Sequence, residues 1–267
     1  MQDILSEIIA NKRFEIDLQK RAIDEDVLQD RLAVVSPCIS LRNALNTSKT
    51  GIISEFKRRS PSKGWINERA DITKTTTGYE KAGATALSVL TDEKYFGGSL
   101  NDLKTIRENI RIPILRKDFI VDPYQLYQAK LIGADAVLLI AAALPKKIYM
   151  DLLQKAHELK LEVLLEIHSE SELDYITPDI DVIGVNNRHL GSFVTDVQHS
   201  FRIAEQLPKD AVLISESGIS DVNTILKLRA AGFKGFLIGE TVMRTKQPAS
   251  TLKQFIKDLQ QDEKVAR

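Results

Sequence analysis

Charged side chains recur at the ends of short apolar runs in this sequence. They are Glu55 and Lys57 at the end of the first run, Lys117 after the third and Glu166 at the end of the fifth. Lysines and carboxylates that share a confined site shift each other's proton affinity, so one group can donate a proton and another accept it. These residue types suit acid–base chemistry if the fold brings them together. Each of them alone could equally be a solvated strand end or part of a structural ion pair.

Two later runs end in further polar residues, with Asn186 and Arg188 after the sixth run and Glu216 after the seventh. Side chains two positions apart on a strand lie on the same face. If Ile53 fills the protein interior, Glu55 and Lys57 must therefore point toward the end of their strand. We expect the polar residues of five strands to meet there.

Glycine-containing turns follow the last two apolar runs. Ser217 and Gly218 come after the seventh run, and Gly239 and Glu240 come after the eighth, where Glu240 opens a short helical piece. Glycine lets the backbone approach an anion closely, and the N–H groups at the start of a helix point toward such a ligand. Together these turns predict a phosphate site, and two ordinary glycine turns are the alternative.

From residue 51 onward, short apolar runs alternate with longer amphipathic stretches. Continuous runs rich in Ile, Val and Leu are typical of parallel strands buried on both faces, and the stretches between them have helical spacing. The predicted strands are 51–56, 85–90, 112–116, 136–140, 161–167, 181–185, 211–215 and 235–238. The predicted helices include 71–81, 99–109, 123–131, 145–159, 196–206, 221–231 and 250–260.

Eight strand–helix units favour an α/β fold of the (β/α)8 TIM barrel type, because closure of the sheet removes both of its edges. An open, doubly wound sheet alternates in the same way and is the alternative. In a barrel the carboxyl ends of all strands meet at one rim, which is where active sites lie. We expect one domain over residues 1–267, in which residues 1–48 form a charged, helical N-terminal extension.

The charge balance and the apolar runs of the sequence argue against some classes of binding partner. Lys and Arg number 37, as do Asp and Glu, so the chain lacks the basic excess of a nucleic-acid-binding protein. No apolar run approaches the ~18 residues of a membrane span, and the start does not resemble a signal peptide. We therefore expect a cytoplasmic protein with neither a nucleic acid nor a membrane as partner. The single cysteine, Cys38, excludes an intrachain disulfide, and the histidines lack the spacing of metal ligands.

Several segments resemble the indole-3-glycerol-phosphate synthase family. They are residues 52–64, 87–92, 96–99, 115–120, 184–188 and 216–219. The first segment is specific to that family, whereas the last is shared in kind with other phosphate-binding barrels. The resemblance implies a carboxy-lyase of tryptophan biosynthesis. Such an enzyme converts 1-(2-carboxyphenylamino)-1-deoxyribulose 5-phosphate into indole-3-glycerol phosphate, with loss of CO₂ and water and without a metal or an organic cofactor.

The resemblance also implies roles for individual residues. Lys117 resembles the general acid of ring closure, and Lys57 resembles the lysine that assists dehydration. Glu55 and Glu166 resemble the carboxylates that move protons and orient the lysines. The implied substrate contacts are Asn186, counted with the catalytic set, and Ser60, Phe96, Phe119, Arg188 and Glu216; the implied phosphate contacts are Ser217, Gly218, Gly239 and Glu240.

Two features depart from or extend the family pattern. His189 stands where the family commonly has Asp or Asn, and we expect an exposed imidazole there. Trp65 follows the first motif, where it could be a lid residue or a bystander. We expect a monomer or a weak homodimer with a small phosphorylated molecule as substrate.

Two other functions remain open at this point. An isomerase of the phosphoribosylanthranilate type needs a Cys and an Asp near strands one and six, but Cys38 precedes the first strand. A barrel kept only for ligand binding or assembly would be indicated by a lost lysine or glutamate. All four residues of the implied acid–base set are present, which favours the enzyme.

Overall fold

The computed structural model describes residues 4–189 and 191–265, except for the side chains of residues 33, 34 and 263–265. Within this part of the chain, eight parallel strands form a closed barrel. They are β1 (Ile52–Phe56), β2 (Ala86–Leu90), β3 (Ile114–Lys117), β4 (Ala136–Ile140), β5 (Glu162–Ile167), β6 (Val182–Asn186), β7 (Leu213–Glu216) and β8 (Gly235–Ile238). Strand β1 pairs with both β2 and β8, which closes the ring. The predicted barrel is confirmed, and the open sheet is excluded.

The strands alternate with helices. These are α1 (Ile4–Ala22), α2 (Glu25–Asp30), α3 (Leu41–Thr47), α4 (Ile72–Ala82), α5 (Glu93–Phe96), α6 (Leu100–Arg107), α7 (Pro123–Leu131), α8 (Lys146–Glu158), α9 (Gln198–Ala204), α10 (Val222–Ala230), α11 (Glu240–Met243) and α12 (Pro248–Val265). Local sequence sets where they begin. Asp122 and Gln125 form a capping box at α7, and the Asp221 side chain accepts a hydrogen bond from the Thr224 N–H at α10.

Strand side chains are buried on both faces of the sheet. One apolar cluster fills the barrel interior and includes Ile53, Leu115 and Leu164. The other cluster contains Ile52 and Ile114, which pack outward against the helices. Removal of both faces from water is the main favourable term for such a sheet. It also explains why the strands have no alternation of apolar and polar residues.

Several short elements differ from the sequence-based expectation. The connection from β5 to β6 contains the 3₁₀ helix Glu170–Tyr175 instead of an α-helix. The unpredicted elements are α5, the 3₁₀ helix Ala141–Ala143 and an antiparallel pair of two-residue strands, Arg59–Ser60 and Gly64–Trp65. Elements of two to six residues complete too few periods to give a detectable hydrophobic pattern.

The helical segment before β1 covers both ends of the barrel. Leu41 and Leu45 of α3 join the interior cluster at the end where the strands begin, so α3 forms the floor. Helix α1 lies at the opposite end, where the buried Lys12 pairs with Asp92 and Asp118 after β2 and β3. The predicted extension of residues 1–48 includes residues 1–3, which lie outside the described residues.

We find no helix in the described ranges with the length and apolar character that a membrane span requires.

Candidate active site

Strand periodicity explains the positions of four charged residues at the barrel mouth. Each lies two positions after an apolar residue of the barrel interior, and side chains two apart share a face. At the carboxyl end of its strand, such a residue points into the mouth instead of the packed core. The pairs are Ile53 and Glu55, Leu115 and Lys117, Leu164 and Glu166, and Ile214 and Glu216.

A cavity of about 630 Å³ occupies the barrel mouth. This volume suits a small organic substrate. Every residue that the sequence predicted for the site lines this cavity. They are Glu55, Lys57, Ser60, Phe96, Lys117, Phe119, Glu166, Asn186, Arg188, Glu216, Ser217, Gly218, Gly239 and Glu240.

Lys117 lies between two carboxylates. Its Nζ is 2.6 Å from Glu166 Oε2 and 3.0 Å from Glu216 Oε2. Burial alone would lower the pKa of Lys117, but Glu166, Glu216 and Glu55 together raise it well above its usual range. The ammonium group therefore stays protonated, which is the form that a proton donor needs.

The two carboxylates around Lys117 differ in their protonation. Burial on its own would raise the pKa of Glu166, but Lys117 and the nearby His168 lower it to about 2. Burial raises the pKa of Glu216 to about 8; Lys117 opposes this shift and Glu166 adds to it. Two carboxylates that share one lysine titrate as a unit, and we assign the retained proton to Glu216.

A second lysine–carboxylate pair lies beside the first. Lys57 Nζ is 2.6 Å from Glu55 Oε1 at the end of β1. The Glu55 side chain packs against the backbone at Gly239, where a Cβ atom would lie 2.4 Å from Oε1. Gly184 makes the same kind of room for Glu216, since its Cβ would lie 2.3 Å from Oε1. The sequence signal for Gly184 is a glycine within an apolar strand, which indicates a close approach.

Two turns at the ends of β7 and β8 form one side of the cavity. Ser217 has a φ of 68° and Gly218 a φ of 77°, and Gly239 and Glu240 begin α11. Arg188 spans the mouth, because its Nη1 donates to Ser62 Oγ at 2.8 Å and its Nη2 lies 3.7 Å from Glu240 Oε2. The two turns and the Arg188 guanidinium thus line the same cavity, and backbone N–H groups together with a guanidinium are a combination that suits an anion.

Aromatic and aliphatic side chains form the opposite side. The ring centroids of Phe96 and Phe119 are 5.9 Å apart. Ile4, Leu5 and Ile8 of α1 also line the cavity, and sequence reasoning had not assigned them to it. Their helical spacing was visible in the sequence, but the surface that this apolar face covers depends on how α1 packs on the barrel.

The remaining singled-out residues lie around this site. His189 is exposed, as expected, and its Nδ1 accepts hydrogen bonds from the backbone N–H groups of Gly191 and Ser192. Trp65 is half exposed, packs over Gly97 and lies under the Arg59 guanidinium. Among the side chains that the structure describes, no three from His, Cys, Asp or Glu are grouped as metal ligands would be.

Comparison with known proteins identifies the family. The family model for indole-3-glycerol phosphate synthase matches residues 5–257. The chain belongs to the indole-3-glycerol phosphate synthase family. A relative of that name from Bacteroides thetaiotaomicron is 62% identical over 260 residues, which cover 97% of this chain and 100% of the relative. Another from Koribacter versatilis is 41% identical, and the match covers 96% of this chain and 100% of the relative.

Solved structures of other enzymes share the fold. Thiamine phosphate pyrophosphorylase from Pyrococcus furiosus superimposes with a TM-score of 0.61 at 16% identity, over 83% of this chain and 98% of that chain. Tryptophan synthase subunit alpha from Legionella pneumophila gives a TM-score of 0.59 at 13% identity, over 82% of this chain and 96% of that chain. At these identities the likeness concerns the barrel alone.

Proposed function

We propose that this chain is an indole-3-glycerol-phosphate synthase. It would convert 1-(2-carboxyphenylamino)-1-deoxyribulose 5-phosphate into indole-3-glycerol phosphate, CO₂ and water. The observation that carries the proposal is the charged Lys117 held between Glu166 and Glu216, in a cavity that also contains the glycine turns of β7 and β8. Membership of the family supports the same reaction.

Substrate binding uses the two chemically different sides of the cavity. The phosphate binds to backbone N–H groups of the turns at Ser217–Gly218 and Gly239–Glu240. Arg188 and Lys57 provide positive charge for the anionic groups of the substrate, and Ser60 lies beside them in the cavity lining. The aromatic ring of the substrate packs against Phe96 and Phe119. In the proposed binding mode the substrate ketone lies next to Lys117.

Ring closure needs a proton donor at the ketone. As the ring carbon that bears the carboxylate attacks the ketone carbon, negative charge develops on the ketone oxygen. Lys117 donates a proton to that oxygen, and Glu166 and Asn186 hold the lysine and the substrate in place. Loss of CO₂ then restores the aromatic ring. The apolar walls exclude water, which strengthens these charge effects and favours loss of the carboxylate.

Dehydration completes the reaction. The hydroxyl formed from the ketone leaves as water, and a neighbouring carbon loses a proton to give the indole double bond. Lys57 provides the proton for the leaving hydroxyl, and Glu55 accepts the carbon-bound proton. The contact of 2.6 Å between Lys57 and Glu55 supports their action as a pair.

The acid form of Glu216 gives a prediction about pH. Above about pH 8 Glu216 ionises and binds Lys117 more tightly, so the lysine becomes a weaker acid and kcat falls. Glutamine imitates the protonated acid, so we expect Glu216→Gln to keep most of the wild-type kcat near neutral pH and to lose the alkaline decline. Steady-state rates between about pH 6 and pH 10 test this. An unchanged alkaline decline in Glu216→Gln would assign that titration to another group.

Turnover of the substrate tests the proposed function itself. Indole fluorescence should rise when the purified chain meets the carboxyphenylamino substrate, and it should rise equally with a metal chelator present. No rise, or turnover of phosphoribosylanthranilate instead, would contradict the proposal. The isomerase alternative has no support in the structure, because Cys38 contacts Lys130 and Ala134 near the start of β4, at the floor of the barrel.

We also make proposals about the domain organisation, the location and the oligomeric state of this protein. The positions of α1 and α3 on the two ends of the barrel support a single domain, with residues 1–48 as its extension. We also propose a cytoplasmic enzyme that is a monomer or a weak homodimer and acts on a small phosphorylated molecule. Size-exclusion chromatography coupled to light scattering tests the oligomeric state, and a stable higher oligomer would contradict it.

A further inference from the structure

A buried polar cluster lies behind the turn at the end of β7. Its centre is Asn187, which directly follows β6 and is 4% exposed. The Asn187 Oδ1 accepts hydrogen bonds from the backbone N–H and the hydroxyl of Ser200, at 3.1 and 2.8 Å. Its Nδ2 donates to Ser215 Oγ at 3.0 Å and to the backbone carbonyl of Ser217 at 3.1 Å. Both ends of the amide are therefore fixed.

The bond to Ser217 differs from the other three because Ser217 lines the active-site cavity. Ser217 has a φ of 68°, in the left-handed region that residues with a side chain rarely adopt. Such a conformation persists only where the surroundings enforce it, and it is found most often at functional sites. The Asn187 amide is a group that enforces it here.

Peptide geometry links this hydrogen bond to the cavity. The carbonyl of Ser217 and the N–H of Gly218 belong to one planar trans peptide, so they point in opposite directions. Asn187 holds the carbonyl on the buried side. The Gly218 N–H must therefore point away from the core, on the side where Ser217 and Gly218 line the cavity.

We propose that Asn187 is a positioning residue for phosphate recognition, because it fixes the Ser217–Gly218 peptide so that the Gly218 N–H faces the substrate phosphate. The inference rests on the proposed function, which places the phosphate at this turn. Asn187 itself does not touch the substrate. Its effect should therefore fall on binding of the phosphate group and leave the chemistry at Lys117 nearly unchanged.

Two variants and a control separate this role from ordinary packing. Asn187→Ala removes the donor to Ser217. Asn187→Asp keeps the shape and the acceptor for Ser200 but places a carboxylate oxygen against the Ser217 carbonyl. Ser200→Ala is the matched control, because it removes a hydrogen bond from the same cluster and leaves the bond between Asn187 and Ser217 in place.

Kinetics with and without the phosphate provide the decisive comparison. Loss of one well-placed hydrogen bond to an anion should raise KM for the phosphorylated substrate, and the Kd for inorganic phosphate, about tenfold to a hundredfold in both Asn187 variants. We expect kcat to change less than about threefold, and kcat/KM for the same substrate without its phosphate to stay at the wild-type value. Ser200→Ala should change none of these values more than about twofold.

The outcomes distinguish a failure of the role of Asn187 from a failure of the proposed function on which it rests. If wild-type protein does not turn over the phosphorylated substrate, the proposed function fails. If it does and a folded Asn187 variant keeps the wild-type KM and phosphate affinity, the role of Asn187 is refuted. A measurement on the unmodified chain remains if both variants fail to fold. Titration with inorganic phosphate should shift the Gly218 amide resonance strongly in ¹⁵N–¹H spectra, and an unmoved resonance would overturn the proposal.

Discussion

Lys117→Ala is expected to lower kcat by roughly a hundredfold to ten-thousandfold, the range that a positioned general acid contributes. The variant lacks the ammonium group that lies 2.6 Å from Glu166 and 3.0 Å from Glu216. No proton donor then faces the ketone when the ring closes, and Glu166 loses the charge that keeps it ionised. The rise of indole fluorescence with saturating substrate measures this effect.

A second buried lysine provides the control. Lys130 is 8% exposed and bonds to Cys38 Sγ at the floor of the barrel. Lys130→Met removes a buried lysine without touching the cavity, so it should keep the wild-type kcat. Circular dichroism should show a folded barrel for both variants. Full activity in Lys117→Ala would refute its role as the acid, and equal losses in both variants would point to a general loss of structure.

Lys12→Met is expected to destabilise the protein by about 3–5 kcal/mol, the usual cost of removing one partner from a buried ion pair. Lys12 Nζ lies 2.9 Å from Asp92 Oδ2 and 3.1 Å from Asp118 Oδ1, and all three side chains are buried. The variant leaves two buried carboxylates with less positive charge around them. Urea unfolding followed by circular dichroism gives the free energy of unfolding.

The same helix offers a matched control for Lys12. Lys20 pairs with Asp122 at 2.7 Å, but about a third of each side chain is exposed. Exposed pairs contribute little, so Lys20→Met should cost less than about 1 kcal/mol. Equal losses in the free energy of unfolding would contradict the prediction that the buried Lys12 pairs contribute more than the exposed Lys20 pair. KM should rise only in Lys12→Met, because α1 also places Ile4, Leu5 and Ile8 in the cavity wall.

Acid unfolding adds an independent sign test to the Lys12 prediction. Burial would raise the pKa of Asp118, but Lys12 and Arg116 lower it to about 2, below its usual value of 3.8. A carboxylate with a lowered pKa stabilises the fold above pH 3.8, and this contribution is lost as the pH falls toward 2. Lys12→Met should therefore lose less stability than wild type over this window. If the acid transitions of wild type and Lys12→Met coincide, the inference that Lys12 lowers the pKa of Asp118 is contradicted.

The barrel and most of its mouth could be predicted because both follow from local patterns. A buried parallel strand is an uninterrupted apolar run, and its last inward position follows from counting by two. Glu55, after Ile53, shows this directly, because the same alternation that buries the isoleucine brings the carboxylate to the cavity. The glycine turns after β7 and β8 could also be predicted, because a glycine that follows an apolar run is a local signal.

The parts that were not predicted depend on pairings between distant segments. Lys12 has the sequence context of any exposed helical lysine, yet it is buried because α1 docks onto the ends of β2 and β3. Asn187 and Gly184 are similar cases, since their importance comes from the Ser217 carbonyl and the Glu216 side chain. No local period encodes which groups will face each other across the barrel.

A crystal structure with indole-3-glycerol phosphate bound is the most direct test of the central claim, that these side chains form one reaction site. We predict the phosphate within hydrogen-bonding distance, about 2.7–3.2 Å, of the backbone N–H groups at Gly218 and at the turn of Gly239 and Glu240. The indole should pack against Phe96 and Phe119, with Lys117 facing its five-membered ring. A phosphate bound away from these turns, or a product out of reach of Lys117, would contradict the account.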